Sequence, residues 1–228
     1  SGRFSSSNPN LQQVPARDEV LSPLVRRLFL PEEDCDWWQF DFSQIEPRIT
    51  IHYAYTKKLR GAMEAALEYI RNPDTDYHKM VAIMTGLTRD LAKPINLGLT
   101  YGMGKKKLAA SLGLSILEAT PILNTYHEKL PFIRDLAEDV SRVAADRGYI
   151  YTLLHRRRRF ELWEPVDRYR RQKASPETII KALPRSQAER EYEGVRLIRA
   201  MVHKALNALI QGSAADVMKK AMLDTFDA

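Results

Sequence analysis

Arg89, Lys93, Leu97 and Tyr101 recur every four residues in the stretch Arg89-Asp-Leu-Ala-Lys93-Pro-Ile-Asn-Leu97-Gly-Leu-Thr-Tyr101-Gly-Met-Gly104. On a helix that spacing stacks the four side chains into one nearly continuous row. Two cations one turn apart repel, so a purely structural helix has little reason to choose them. An anionic ligand along the row supplies a reason: the cations grip successive phosphates while a sugar and base rest on the apolar end. The alternative is an amphipathic helix with a solvated Arg and Lys and a buried Leu and Tyr, and this stretch alone does not decide between the two. Pro94 removes a backbone donor and crowds the preceding turn, so the reading expects a bend or irregular first turns. Gly102 and Gly104 stop the helix or allow a tight turn.

Other residue patterns carry chemistry of the same kind. Asp41 closes the aromatic run Trp37–Phe42, which reads as a strand, and a carboxylate at a strand end is well placed for a metal; a turn or cap role is the alternative. His155-Arg156-Arg157-Arg158-Arg159 is the densest positive cluster and suits phosphate, or else is a solvated face. His203, Asn207 and Gln211 fall at i,i+4 on a helical pattern, and in-line amides suit base edges in a minor groove, or else form a polar stripe. Arg3, Asn10 and Arg17 lie in a polar, coil-like opening segment and offer contacts to a nucleic-acid backbone.

The elements that must position these groups follow from periodicity. Helical patterns run over Arg48–Tyr69, from Tyr77 behind an Asp76 cap, from Arg89, and over Leu108–Leu112, Ser115–Tyr126 and Phe132–Arg147. Gly148–Leu154 reads as a strand, 164–194 as a charged exposed excursion, and Val195–Phe226 as one long helical pattern. The chain has 228 residues, 44% hydrophobic, with a net charge of +6. That suffices for a sizeable core and is compatible with a polyanionic partner. One cysteine, Cys35, excludes a disulfide framework and a Cys-rich zinc site. No apolar run reaches membrane-span length. Gly102-Met-Gly-Lys-Lys lacks the spacing of a nucleotide-binding P-loop. Both ends read as cuts in something longer.

Taken in order, several segments resemble the family A DNA polymerases, the DNA polymerase I type. Gly2-Arg3-Phe-Ser-Ser-Ser-Asn-Pro-Asn10-Leu-Gln resembles their palm-entry motif. Asp41-Phe-Ser-Gln44-Ile-Glu46-Pro-Arg48 resembles motif A, and the row from Arg89 to Tyr101-Gly resembles motif B. Thr152-Leu-Leu-His155-Arg-Arg-Arg resembles the Thr-Leu-x-Gly-Arg-Arg-Arg segment, and Asn207-x-x-x-Gln211-Gly resembles the helix before motif C. The His203-Lys-Ala-Leu-Asn207 wording is similar to phage and viral members. The resemblance implies an α+β fold: a mostly helical fingers subdomain inserted into a partial antiparallel-sheet palm. Residues 1–57 would be partial palm with motif A, 58–194 fingers with motif B and the basic strand and excursion, and 195–228 a palm helix.

The resemblance also implies roles. Asp41, with the backbone carbonyl of Phe42, would ligate two Mg²⁺ ions in nucleotidyl transfer of dNTPs to a primer 3′ end. Arg89 and Lys93 would hold the triphosphate and neutralise the leaving pyrophosphate, with His78 a further phosphate contact and Gln44 also at the nucleotide. Leu97 would lie near the sugar, and Tyr101 near the template base and Glu46. Glu46 would sit under the sugar, where a 2′-hydroxyl would clash. Arg3, Asn10, Arg48, Asn207, Gln211, Arg156 and Arg157 would contact primer–template DNA. The implied setting is the nucleoid, in the cytoplasm of a bacterial or phage-infected cell. Departures are Leu97 for a usual Phe or Tyr, Pro94 within motif B, Pro47 for Leu and His155 for Gly, and motif C, His-Asp-Glu, does not occur in these residues. Two rivals stand beside this reading: a single-subunit RNA polymerase of related architecture and a non-catalytic nucleic-acid-binding module. On the leading reading, Leu97→Phe in the parent enzyme should raise single-nucleotide incorporation efficiency several-fold, the range that ~1 kcal/mol of added contact permits. Unchanged affinity, rate and sugar selectivity would place position 97 away from the nucleotide.

Overall fold

Phe132, Leu136, Val140 and Ala144 follow one another at helical intervals, and each is almost completely buried. In the computed structural model they form the inner face of one helix, Pro131–Arg147, against which much of the chain packs. The structure describes residues 2–16, 18–166 and 180–227, and side chains within these except those of 84, 85, 90, 94, 97 and 100. Arg17, and the side-chain roles expected of Leu97 and Pro94, lie outside what is described.

The chain divides into two units, Gly2–Ser43 and Gln44–Ala228. The smaller holds α1 (Leu21–Arg26) and a 3-10 turn at Leu11–Gln13. The larger is chiefly helical: α2 (Ile45–Thr56), α3 (Ala62–Arg71), α4 (Tyr77–Thr85), α5 (Arg89–Thr100), α6 (Lys105–Leu112), α7 (Ile116–Lys129), α8 (Pro131–Arg147), α9 (Arg185–Glu191) and α10 (Ala205–Phe226). Short antiparallel strands complete an α+β fold. β1 (Tyr149–Tyr151) pairs with β2 (Arg157–Arg159), and β3 (Leu162–Pro165) lies between β4 (Leu183–Pro184) and β5 (Leu197–Arg199). The core joins Ile49 and Ile51 of α2, Tyr77 and Val81 of α4, Ile95 and Leu99 of α5, the α8 stripe, and Leu206, Leu209 and Ile210 of α10.

Local signals set several boundaries as expected. Asp76 caps α4 by accepting from the Lys79 amide, and Ser115 and Glu118 form a capping box on α7. Arg89, Lys93 and Leu97 of the motif-like row lie on one helix, α5, that continues through Pro94, and Tyr101 follows its last residue. It closes at Gly102, at φ +79°, with the Met103 amide donating back to the Gly98 carbonyl.

Four expectations are corrected. Trp37–Phe42 is not a strand. A strand exists only by its ladder, and no described segment pairs with this one; Trp37, Trp38 and Phe40 are 69%, 76% and 80% exposed. The pattern over Arg48–Tyr69 is two helices, broken where Lys58 and Gly61 adopt left-handed conformations. Val195–Phe226 begins instead with β5, a left-handed turn at Met201 and a 3-10 turn, before α10 starts at Ala205. The excursion after residue 164 carries β4 and α9 at 183–191, and Arg185 there and Arg199 of β5 each lie over the Trp163 ring, at 4.9 and 4.5 Å. Cations held by an aromatic ring leave no hydrophobic period to read.

One side chain joins three of the helices. Gln44, in a left-handed conformation at the head of α2, accepts from the Tyr77 amide at 2.8 Å and the Tyr69 hydroxyl at 3.2 Å, and donates to the Thr75 carbonyl at 3.0 Å. It therefore ties α2 to α3 and to the first turn of α4. Gln44→Ala leaves these groups without that partner and should cost about 2 kcal/mol, seen as a lower urea midpoint at unchanged slope. An unchanged midpoint would mean that water replaces the amide without loss.

Candidate functional site

The outward face of α5 carries the row's cations. Ala92, Ile95, Asn96 and Leu99 are buried, while Arg89 and Lys93 are exposed on the opposite side. Helical period alone produces this division, since positions 92, 95, 96 and 99 share one face. Arg89 donates through Nε to Asp76 Oδ2 at 2.7 Å, which joins the first turn of α5 to the cap of α4. Burial works to raise the Asp76 carboxyl, but the bonds from Arg89 and the Lys79 amide, with the Arg89 charge, outweigh it and hold it below its ordinary value. Lys93 has no ion-pair partner among the described residues.

Behind this face, α4 presents His78 against Asn96 of α5, with Asn96 Nδ2 lying 3.3 Å from His78 Nδ1. Burial lowers the basicity of His78; Asp76 opposes this, and the charges of Lys93 and Arg89 reinforce it. Protonation of the imidazole is thus disfavoured both by burial and by the two nearby cations. At the other end of α5, the Tyr101 hydroxyl donates to Glu46 Oε2 at 2.5 Å across 55 residues of sequence. Glu46, Thr50, Tyr77, His78, Asn96 and Tyr101 line a single small cleft between α2, α4 and α5.

Other expected site residues are held by the fold itself. Both ends of the Gln44 amide are engaged as described above. Arg48 donates to the Pro73 carbonyl and lies 4.5 Å from the Tyr69 ring centre. Burial raises the Tyr69 phenol to about 12, although the nearby Arg48 charge lowers it. Arg156 donates to Asp216 Oδ1 at 2.8 Å and to the Gly212 carbonyl at 3.0 Å. With the Leu153 amide on Ser213 Oγ at 3.0 Å, it clamps the β1–β2 turn to α10. In that turn His155, where glycine was the usual residue, adopts a left-handed φ of +60°. Arg157 remains exposed on β2, its guanidinium 5.8 Å from the Tyr149 ring. Asn207 and Gln211 are half-buried on one face of α10, whereas His203 belongs to the preceding 3-10 turn and not to their row.

The smaller unit holds the remaining candidates. Asp41 and Phe42 are exposed on a segment without regular secondary structure; Asn10 caps the 3-10 turn by accepting from the Gln12 amide at 3.2 Å, and Arg3 is exposed. No group of three metal-binding side chains occurs among the described residues. Two residues were missed in the sequence. Asp76 was read only as a cap, and nothing in local spacing couples it to Arg89, 13 residues away. Asn96 had a readable signal, an amide on the apolar face of α5.

Comparison with known proteins shows the family. Residues 1–228 match the family profile of DNA polymerase family A. The chain belongs to that family. It is 36% identical to the DNA-directed DNA polymerase of Pseudomonas phage M6, over 97% of this chain and 35% of that protein. It is 34% identical to DNA polymerase I of Synechocystis sp., over 98% of this chain and 22% of that protein. Among solved structures it resembles the POL domain of Pol1 from M. smegmatis, in complex with DNA primer-template and dNTP. There the TM-score is 0.67 and the identity 31%, over 96% of this chain and 34% of the other. The chain thus spans about a third or less of these relatives. No helix among the described residues is long and apolar enough to cross a membrane.

The Asp76–Arg89 pair has a calculable pH dependence. Because the folded carboxyl is depressed, its contribution is complete above the unfolded value of about 3.9 and is lost as pH falls through the lower folded value. Asp76→Asn keeps a capping side chain and removes the charge. Its melting temperature should fall below that of the natural chain at pH 6, by an amount matching ~0.2–1 kcal/mol for an exposed pair, and the two should converge below pH 4. A gap independent of pH would show that the charge contributes nothing.

Proposed function

We propose that this chain is the palm-and-fingers portion of a DNA-templated DNA polymerase, with residues 1–57 and 195–228 as palm and 58–194 as fingers. The observation that carries this reading is the Tyr101–Glu46 bond, which joins the motif B helix to motif A at the head of α2. Around it, α5 presents Arg89 and Lys93 to solvent with His78 close by, a set suited to successive phosphates of a nucleoside triphosphate. Glu46, fixed by Tyr101, is the group that would exclude a 2′-hydroxyl. Arg89 would exchange Asp76 for phosphate as the correct nucleotide is gripped.

The substrates proposed are dNTPs and primer–template DNA, with Asn207, Gln211, Arg157, Arg3 and Asn10 along the duplex. Arg48 and Arg156 would act by supporting their neighbours, and Gln44 by fixing motif A. The proposed setting is the nucleoid of a bacterial or phage-infected cell.

Asp41 and the Phe42 carbonyl are hard oxygen donors of the type that suits Mg²⁺. One carboxylate is half of the usual set for two ions, so the residues fit as one side of a shared site. Bound there, such ions would supply Lewis-acid stabilisation of the charge that develops in nucleotidyl transfer.

Primer extension tests this. The full-length parent should extend a primer with dNTPs and reject rNTPs, and the 228-residue chain alone should not extend it. In the parent, Asp41→Ala should abolish turnover while leaving primer–template affinity within a few-fold, because affinity comes from many phosphate contacts. Near-normal turnover in that variant would remove Asp41 from the metal site.

A further inference from the structure

The His78–Asn96 pair is buried, crosses between two helices and contains an atom that its own fold does not satisfy. Asn96 is 1% exposed and His78 7%. Asn96 Nδ2 meets His78 Nδ1 at 3.3 Å, whereas Asn96 Oδ1 has no hydrogen-bond partner among the described residues and the residue lines the cleft shared with Glu46 and Tyr101. An amide nitrogen can only donate. Facing it, Nδ1 must accept, so a neutral ring must carry its proton on Nε2.

The opposite amide orientation is worse. Oδ1 would then face Nδ1, and the NH₂ group would occupy the place where Oδ1 now has no partner. Two donors would be stranded in place of one carbonyl oxygen, and a stranded buried N–H is the rarer defect. That orientation would also leave Nε2 as a bare acceptor, which repels an anionic oxygen.

We infer that Asn96 is a positioning residue: its amide sets the tautomer of His78 so that Nε2–H is the ring's donor to a phosphate oxygen of the bound nucleotide. This rests on the reading of His78 as a phosphate contact, and it gives that contact a cause. A neutral histidine serves an anion only through the nitrogen that holds the proton. Desolvation, with Lys93 and Arg89 nearby, disfavours the doubly protonated ring, in which the choice would not matter. The cations supply charge, and the tautomer supplies direction.

Nitrogen-15 NMR of the 228-residue chain, labelled at histidine, tests the inference at neutral pH. His78 should show a protonated Nε2 and an unprotonated Nδ1. A protonated Nδ1, or an even mixture, overturns it. Asn96→Asp replaces the donor with an acceptor and should move the proton to Nδ1 or charge the ring; an unchanged pattern also overturns it. The natural chain's spectrum decides the tautomer even if the variant does not fold. Inorganic pyrophosphate then separates the tautomer from the phosphate role. It should shift the His78 Nε2–H signal, and Asn96→Leu should weaken that binding several-fold without altering the exposed Lys93. If the tautomer is as stated but pyrophosphate leaves His78 unmoved, the amide's control of the ring stands and the phosphate reading of His78 falls.

Discussion

The arrangement of the site depends on the side-chain amide of Gln44. A left-handed residue opens α2, and its side chain reaches the first amide of α4, a carbonyl just before it and a hydroxyl on α3. The head of α2 thereby stands in a fixed relation to the helix that carries His78. An amide suits this position because it donates and accepts at once, and the three partners demand both. A carboxylate could not serve the Thr75 carbonyl, and an apolar side chain could serve none of them. The remaining alignment, of α5 on α4, comes from apolar packing at Val81, Ile95 and Leu99 together with the His78–Asn96 contact.

The sequence was readable wherever chemistry is local. The Asp76 cap and the Gly102 stop each use residues within a turn of one another, and both appear as expected. The misread elements had causes at a distance. Trp37–Phe42 has strand-like composition without a described ladder partner. Met201 and Lys58 adopt left-handed conformations that their residue types do not announce, and each ends a pattern that looked continuous. The fold class was legible through the resemblance of the motif-bearing segments, in order, to one family. The engagement of Gln44 was not, since its three partners lie 25 to 33 residues away.

Charge illustrates the same limit. Arg156 and Arg157 are adjacent, equally basic and members of one cluster. Arg156 is drawn down to Asp216, a buried carboxylate 60 residues later, and its guanidinium becomes part of the hairpin's attachment to α10. Arg157 opens β2, whose three arginines are all exposed, and remains in solvent. A basic run therefore divides into supporting and available charges according to the location of an acid elsewhere. Arg48 follows the first pattern, held by a carbonyl and an aromatic ring, and Lys93 the second.

The Asp76 carboxylate carries its two duties on separate atoms. Oδ1 receives the Lys79 amide and Oδ2 receives Arg89. The arginine can consequently leave Oδ2 while Oδ1 continues to close the end of α4. Side-chain exchange at the surface is uncoupled from the integrity of the helix beneath it, so the guanidinium has a resting berth that it can vacate without loosening the frame that holds His78. A single shared oxygen would have linked the two events, and each departure of the arginine would have weakened the helix end.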